Sequence, residues 1–151
     1  MIINSSENNS SKKIKLNRVM CFGTFDLLHP GHLNYLEQAK KQGDYLIVVI
    51  ARDETKIKQN KKTLFSENNR LIIIKSLKVV DEAVLGNVDD HFKVILEKKP
   101  QVICLGYDHQ ISEKELEKKL EERGLIVKVK RMKPFKVEKF KSSIIKRKIL
   151  V

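Results

Sequence analysis

The chain has 151 residues, of which 41% are hydrophobic and 33% are charged, and its formal net charge is +12. This length predicts one domain with one sizeable core, and the composition is typical of a soluble globular protein rather than a disordered one. The longest uncharged apolar run, Tyr45–Ala51, is too short to span a bilayer, and the residues before Arg18 lack the apolar segment of a signal peptide, so we predict a cytoplasmic protein.

The first third of the chain changes from a polar lead-in to alternating strands and helices. Residues 1–16 are rich in Asn and Ser and are predicted to be flexible, which leaves residues 17–151 for the folded domain. Arg18–Phe22 is a short apolar run that ends at a glycine, as a buried strand does. Helical spacing of apolar residues predicts a helix over His32–Gln42, and Tyr45–Ala51 is predicted to be the second strand.

The middle of the chain contains one segment without periodicity. Lys56–Lys62 is charged and is predicted to be a mobile loop. Ser66 is a candidate N-cap for a helix that reaches Leu77. Glu82–Leu85 is predicted to be the third strand, and Asp89–Lys99 to be a helix that ends before a proline.

The last third repeats the alternation. Gln101–Leu105 is predicted to be the fourth strand, and a capping box indicates a helix over Ser112–Arg123. Leu125–Lys130 is predicted to be the fifth strand. A final helix is predicted to be capped by Ser142 or Ser143 and to end near residue 150.

This order of elements predicts an α/β fold, a single Rossmann-like domain with a five-stranded parallel sheet and helices on both faces. The strands are continuous apolar runs, as expected for a sheet that is covered on both sides. Ligands of such sheets bind beyond the carboxyl ends of the strands, where the strand order reverses. The loops at residues 23–26 and 106–108 follow strands and begin with glycine, so we expect them to border the site.

The most informative stretch is the ten residues from Gly23 to His32, which read GTFDLLHPGH. His29 and His32 straddle the predicted start of a helix, where Pro30 presets the turn and Gly31 leaves room for a phosphate. Backbone N–H groups and two imidazoles would then converge on one anion, which suits phosphoryl transfer. A turn with capping histidines and a metal-binding pair are the alternatives, although no third metal ligand stands at a useful spacing.

The same stretch resembles the signature of the cytidylyltransferase-like superfamily of nucleotidyltransferases, with its HxGH motif at His29 to His32. The resemblance extends from about Arg18 to the C-terminus. It implies that His29 and His32 contact the triphosphate and stabilise the transition state, and that Thr24 and Phe25 lie against the nucleotide.

The resemblance also implies contacts by further residues of the motif stretch and by residues beyond it. The start of the last helix, at Ser142 and Ser143, is similar to a hydroxyl-rich helix start that seats the pyrophosphate, although a plain N-cap is the alternative. Further residues are predicted to bind the nucleotide: Gly23, Pro30, Gly31, Asp108 and Arg131. The remaining predicted contacts are to substrate or phosphate: Asp26, Arg52, Asp53, Lys62, Arg70 and Tyr107.

Within the superfamily, the segments after the second, third and fourth strands resemble archaeal FAD synthase. That resemblance implies that ATP and FMN are the substrates and that a divalent metal ion, Mg²⁺, is bound with the triphosphate rather than by a protein cluster. A homodimer is compatible with the sequence, and no membrane partner is expected. The alternative enzyme is a glycerol-3-phosphate-type cytidylyltransferase that uses CTP and an alcohol phosphate.

A non-catalytic function is also compatible with the positive charge of the C-terminal segment. Residues 124–151 contain ten Lys and Arg against one Glu, so the domain could bind nucleic acid. Only Phe135 and Phe140 are available there for base stacking, which favours a solvated basic face beside a phosphate site instead.

Overall fold

A computed structural model describes residues 15–149 of the chain. Within them a five-stranded sheet forms the centre of the fold, and all four strand pairs are parallel. The spatial order of the strands is β3-β2-β1-β4-β5. Their bounds are β1 Arg18–Gly23, β2 Tyr45–Ile50, β3 Glu82–Leu85, β4 Val102–Leu105 and β5 Lys128–Arg131.

Six helices connect the strands and follow the last one within the described residues. They are α1 Pro30–Lys40, α2 Asp53–Lys58, α3 Glu67–Lys75, α4 Lys93–Lys98, α5 Glu113–Glu121 and α6 Ser142–Ile149. Ser66 caps α3 by accepting from the Asn69 N–H, and Ser112 caps α5 by accepting from the Glu115 N–H, as the sequence predicts.

The strands are buried on both faces because their residues alternate between two apolar clusters. Val19 and Cys21 of β1 pack in one cluster with α1 and α3, whereas Met20 packs in the other with α4 and α5. The predicted α/β fold, with a five-stranded parallel sheet and helices on both faces, is therefore confirmed.

Element boundaries differ from the predictions at several points. The segment predicted as a mobile loop, Lys56–Lys62, overlaps the last three residues of α2. This helix has Asp53 and Glu54 in its first turn and Lys56 and Lys58 in its last, which suits the helix dipole. Helix α4 is shorter than predicted and is followed by Lys99 in the left-handed region, at φ 48°. Strand β5 begins three residues later than predicted.

The predicted lead-in at residues 1–16 falls outside the described residues, apart from its last two positions, as does the predicted end of the last helix. None of the helices between residues 15 and 149 is long and apolar enough to cross a membrane.

The strand order reverses between β1 and β4, which places the predicted ligand edge. Successive strands β1, β2 and β3 extend the sheet in one direction, and β4 and β5 extend it in the other. Because parallel strands end at the same edge, the loops after β1 and β4 lie side by side there.

Candidate active site

The loop that leaves β1 has an unusual backbone conformation. Phe25 has φ 52°, in the left-handed region, and its side chain is buried. A Cβ on Gly23 would lie 2.6 Å from the Phe25 ring, so Gly23 is required for this ring to fold back over the strand end. Phe25 meets His32 edge to face, with ring centroids 5.3 Å apart.

The two motif histidines form a capping box for α1. The Gly31 N–H donates to His29 Nδ1 at 3.1 Å, and the His29 N–H donates to His32 Nδ1 at 3.3 Å. The Gly31 N–H is therefore already satisfied, so it is not one of the free backbone N–H groups that were expected to converge on an anion. The capping role, which the sequence left as an alternative, is present in the structure.

Capping leaves the second nitrogen of each ring available. A neutral imidazole whose Nδ1 accepts a hydrogen bond carries its own hydrogen on Nε2. The rings of His29 and His32 stack with centroids 3.8 Å apart. The capping box thus fixes two neighbouring Nε2–H donors at the start of a helix, where negative charge is stabilised.

Both rings are held neutral by their surroundings. Burial lowers the pKa of His29, and burial together with the neighbouring His29 lowers the pKa of His32 to about 3. The pair therefore donates hydrogen bonds at neutral pH without carrying charge.

Helix α6 approaches the motif from the far end of the chain. A Cβ on Gly31 would lie 3.0 Å from the Phe140 carbonyl oxygen, so glycine permits this approach. The ring of Phe140 stacks near His29 with centroids 6.3 Å apart. The first turns of α1 and α6 are consequently neighbours at the sheet edge.

The serines at the start of α6 do not cap it, contrary to the prediction. The helix begins at Ser142, and the carbonyl of the preceding Lys141 accepts from the Ile144 and Ile145 N–H groups. Ser142 and Ser143 are the first two helical residues. Neither of their backbone N–H groups has a hydrogen-bond partner among residues 15–149, so both are open to an anion.

Asp26 joins this helix to the loop that precedes α3. Its carboxylate is buried, accepts from the Leu64 and Phe65 N–H groups, and pairs with Lys146 of α6 at 2.5 Å. Burial alone would raise the pKa of Asp26, but the hydrogen bonds from Lys146 and from the two backbone groups outweigh it and lower that pKa. Asp26 therefore holds three segments together as an anion.

Arg70 is fully buried and bonds to protein groups instead of facing the sheet edge. Its guanidinium donates to the carbonyls of Thr24 at 2.8 Å, Ala51 at 2.9 Å and Phe65 at 3.1 Å, and pairs with Asp53 at 2.7 Å. Arg70 therefore positions the loops after β1 and β2, and the phosphate contact that the resemblance implies for it stays a prediction.

Arg52 and Asp53 extend that network. Arg52 donates to Glu67 Oε2 at 2.6 Å, and Asp53 accepts from the Glu67 N–H at 3.0 Å. Both side chains are engaged at the start of α3. Lys62 lies nearby with an exposed side chain, and its carbonyl accepts from Lys146 at 3.4 Å.

The loop after β4 is shaped by Arg131, which was predicted to contact phosphate. Arg131 pairs with Glu113 at 2.5 Å and donates to the carbonyl oxygens of Gly106 at 3.0 Å, His109 at 2.8 Å and Ile111 at 2.7 Å. The guanidinium therefore fixes the loop that was expected to border the nucleotide.

Within that loop, the side chains of Tyr107 and Asp108 are exposed at the sheet edge. The Gly106 N–H donates to Nδ1 of His109 at 3.1 Å. His109 was not predicted, and its bond to a backbone group three residues away has no clear sequence signature.

Tyr35 spans the gap where β1 and β4 separate. Its hydroxyl donates to the Cys104 carbonyl at 2.5 Å and accepts from the Phe22 N–H at 3.4 Å. Like Lys146, Tyr35 was not predicted, because each acts on a segment distant in sequence.

The structure brings together the motif histidines, Gly31, Asp26 and the start of α6, and it sets Thr24, Arg52, Asp53 and Arg70 around the adjacent loops. Within residues 15–149 no group of three or more His, Cys, Asp or Glu side chains is arranged to hold a metal ion.

Comparisons with known proteins identify the family of this chain. Residues 20–148 match the model of the family described as cytidylyltransferase-like. The chain is 44% identical over 133 residues to the FAD synthase of Picrophilus torridus. The matched residues cover 88% of this chain and 96% of that protein. It is 50% identical over 117 residues to the FAD synthase of Methanohalophilus mahii, covering 78% and 82% of the two chains.

Solved structures give the same fold. A protein from Thermoplasma volcanium, described as a lipopolysaccharide core biosynthesis protein, matches with a TM-score of 0.79 and 46% identity, covering 80% of this chain and 99% of the other. Pantoate-beta-alanine ligase from Francisella tularensis matches with a TM-score of 0.59, 15% identity and coverage of 90% and 70%, which indicates the shared fold alone.

Proposed function

The chain belongs to the cytidylyltransferase-like family, and we propose that it is an FMN adenylyltransferase, an FAD synthase that transfers AMP from ATP to FMN and releases pyrophosphate. One observation carries the choice of substrates: FAD synthases are 44% and 45% identical to this chain over 88% of its length. The geometry of the histidines and of α6 suits the transfer itself.

The reaction requires no covalent bond to the protein. A phosphate oxygen of FMN attacks the α-phosphorus of ATP, a new P–O bond forms, and the bond from the α-phosphorus to the bridging oxygen breaks. The electron pair leaves with pyrophosphate, opposite the attacking oxygen. The protein's contribution is to position the two phosphates and to stabilise the charge that develops between them.

The Nε2–H groups of His29 and His32 are proposed to donate to the phosphoryl oxygens in the transition state. Their Nδ1 atoms are already bonded to the backbone, so the rings cannot turn away as charge develops. The hydroxyls and backbone N–H groups of Ser142 and Ser143 are proposed to hold the departing pyrophosphate.

The two sides of the sheet edge are proposed to separate the substrates. Gly106, Tyr107 and Asp108 border the adenosine on the β4 side, where Arg131 fixes their loop. The acceptor then enters from the β2 side, next to Thr24 and Lys62.

A divalent ion, proposed to be Mg²⁺, would neutralise charge on the triphosphate when bound. Asp26 supplies a carboxylate in the motif loop, but its oxygens accept from Leu64, Phe65 and Lys146. The donors that suit the ion are therefore the ATP phosphates and water, which Mg²⁺ commonly keeps as ligands.

The proposal is tested by supplying the protein with FMN, ATP and MgCl₂ and separating the products by chromatography. We expect FAD and pyrophosphate in equal amounts, with CTP used far less well than ATP. If pyrophosphate forms only from CTP and glycerol 3-phosphate, the protein is a cytidylyltransferase and not an FAD synthase. Retention of nucleic acid without turnover of either pair would contradict both reactions.

A further inference from the structure

Two cavities at the surface of residues 15–149 differ in their distance from the motif. The larger, of about 480 Å³, lies at the edge strand β3 between Lys75 and Val84, away from the histidines. The smaller, of about 270 Å³, lies between α2 and the start of α3. Its lining residues are Asp53, Ile57, Lys61, Lys62, Thr63, Phe65 and Ser66.

The smaller cavity shares its inner wall with the candidate active site. The Phe65 N–H donates to Asp26 of the motif loop at 2.9 Å, and the Lys62 carbonyl accepts from Lys146 of α6. Since β2 and β4 flank β1 on opposite sides, this cavity lies across β1 from the loop at Gly106. It therefore lies on the side of the sheet edge that is not taken up by the loop at Gly106, which is proposed to border the adenosine.

The cavity carries apolar side chains that the fold does not bury. Ile57 is 71% exposed and Phe65 is 40% exposed, and the adjacent Leu64 is 51% exposed. Their backbone groups stabilise the loop, whereas their side chains face solvent. Exposed apolar residues grouped around a concave surface indicate a ligand that buries them.

Positive charge surrounds the same cavity. Lys61 and Lys62 line it, and burial, together with the charges of Lys61, Arg70 and Lys146, lowers the pKa of the neighbouring Lys56. A ligand that complements this cavity combines a flat apolar body with an anionic group.

We propose that the cavity between α2 and α3 seats the isoalloxazine ring of FMN against Ile57 and Phe65, while Lys61 and Lys62 hold the FMN phosphate. The proposal rests on the proposed function and assigns its acceptor-specificity residues. An aromatic ring on Phe65 stacks on the flavin, and Ile57 covers its edge. A cytidylyltransferase acceptor such as glycerol phosphate has no ring to fill this space.

Comparing two ligands distinguishes binding of the ring from binding of the phosphate. These ligands are FMN and riboflavin, which has the same ring and no phosphate. Binding is measured by the change in flavin fluorescence without ATP, and FAD formation is measured in parallel. We expect Phe65→Ala and Ile57→Ser to weaken both ligands by about fivefold to tenfold, in line with the loss of one stacking contact. Lys61→Ala and Lys62→Ala should weaken FMN and leave riboflavin unchanged.

Two controls accompany these variants. Phe65→Trp keeps an aromatic face and should retain flavin binding within about twofold of the wild type. Ile72 is 65% exposed on α3 and lies outside the cavity, so Ile72→Ala should bind both flavins normally. Thermal melting identifies any variant that fails to fold, and the KM for ATP should stay unchanged in all the ring variants.

The outcomes distinguish this inference from the proposed function. If the wild type makes FAD and neither Phe65→Ala nor Ile57→Ser weakens riboflavin, the ring binds elsewhere and the inference is overturned. If the wild type makes no FAD from FMN and ATP, the proposed function fails and the inference fails with it.

Discussion

At the residue scale, His29 and His32 combine two roles that are usually separate. Each Nδ1 completes the start of α1, and each Nε2–H remains for a ligand. Substituting alanine removes both roles at once, so an alanine variant cannot distinguish a lost cap from a lost donor.

Asparagine at position 29 separates them. Its side-chain oxygen is a good N-cap acceptor, but it replaces the imidazole donor. We expect His29→Asn to melt close to the wild type and to lose turnover by about 10²–10³-fold, as in the loss of other preorganised donors. His29→Ala should lose turnover similarly and also about 1 kcal/mol of stability. Near-normal turnover in His29→Asn would remove His29 from the transition state.

The buried imidazoles also predict how stability depends on pH. The folded-state pKa of His32 is about 3 and that of His29 is lowered, whereas an unfolded histidine titrates near 6.5. Below about pH 6.5 the unfolded chain takes up protons that these folded rings do not. Their stabilising contribution is therefore complete above that pH and is lost as the pH falls.

Denaturant unfolding between pH 6.5 and pH 4.5 measures this effect above the titration range of Asp26. As the pH falls, the free energy of unfolding should decrease less steeply in His32→Gln than in the wild type. The two slopes should differ by at most about 1.4 kcal/mol per pH unit. The exposed Ile72 provides the control, since Ile72→Ala changes no titrating group and should keep the wild-type slope. Identical slopes in wild type and His32→Gln would show that His32 is not held neutral.

Arg70 shows how a charged residue can be part of the core. Its guanidinium satisfies three carbonyls and Asp53 while the side chain is fully buried. In a urea titration, Arg70→Met is expected to lower the free energy of unfolding by about 3–5 kcal/mol, because it leaves the carboxylate and carbonyls without their partner. Arg123 pairs with Asp90 at an exposed site and gives the control. Arg123→Met should lower the free energy of unfolding by about 0–1 kcal/mol in the same measurement. Equal costs would mean that Arg70 contributes only a surface ion pair.

At the scale of elements, the starts of two helices can be compared. Ser112 caps α5 through its hydroxyl oxygen, whereas Ser142 and Ser143 lie inside the first turn of α6, and their N–H groups have no hydrogen-bond partner within residues 15–149. The same residue type therefore stabilises one helix and is open to a ligand in the other.

Calorimetry with ATP tests this contrast. The double variant Ser142→Ala and Ser143→Ala should bind ATP about tenfold more weakly, since two hydroxyl contacts are lost, and should melt nearly as the wild type. Ser112→Ala should lose about 1 kcal/mol of stability and bind ATP normally. Unchanged ATP affinity in the double variant would exclude these hydroxyls from the pyrophosphate site.

Helix α2 illustrates the limit of local patterns. The charged, aperiodic stretch Lys56–Lys62 predicts a loop, yet Lys56–Lys58 form the end of this helix, which buries no residue. The helix forms because acidic residues begin it, basic residues end it, and Glu54 pairs with Lys58 one turn away at 3.5 Å. The segment packs outside the core, and its side chains are therefore available to a ligand.

At the scale of the whole molecule, the Asp26–Lys146 pair links the two ends of the described chain. Asp26 lies at the sheet edge and Lys146 in the last helix, and the pair is largely shielded from solvent. Because Asp26 also holds Leu64 and Phe65, it couples α6 to the proposed acceptor cavity.

Hydrogen exchange tests this coupling. Lys146→Met leaves a buried carboxylate unpaired, so amides of α6 should exchange at least about tenfold faster than in the wild type, which corresponds to about 1.4 kcal/mol. Lys148 is exposed on the same helix, and Lys148→Met should leave exchange unchanged. If both variants exchange alike, α6 is held by its apolar contacts instead.

The sequence by itself determined the features that depend on neighbours in the chain. Apolar runs placed the five strands, Ser66 and Ser112 identified their helix starts, and the stretch from His29 to His32 was placed at the start of a helix. These are local or periodic properties, so one sequence suffices to read them.

Tertiary structure alone decided which distant groups meet. Arg70 and Arg131 were expected to contact phosphate, yet each has its guanidinium taken up by loop carbonyls, because the loops after β1, β2 and β4 leave buried oxygens that need donors. The pairing of Asp26 with Lys146 likewise joins residues 120 positions apart. Hydrogen-bond satisfaction in a buried edge depends on the whole fold, and no local pattern carries that information.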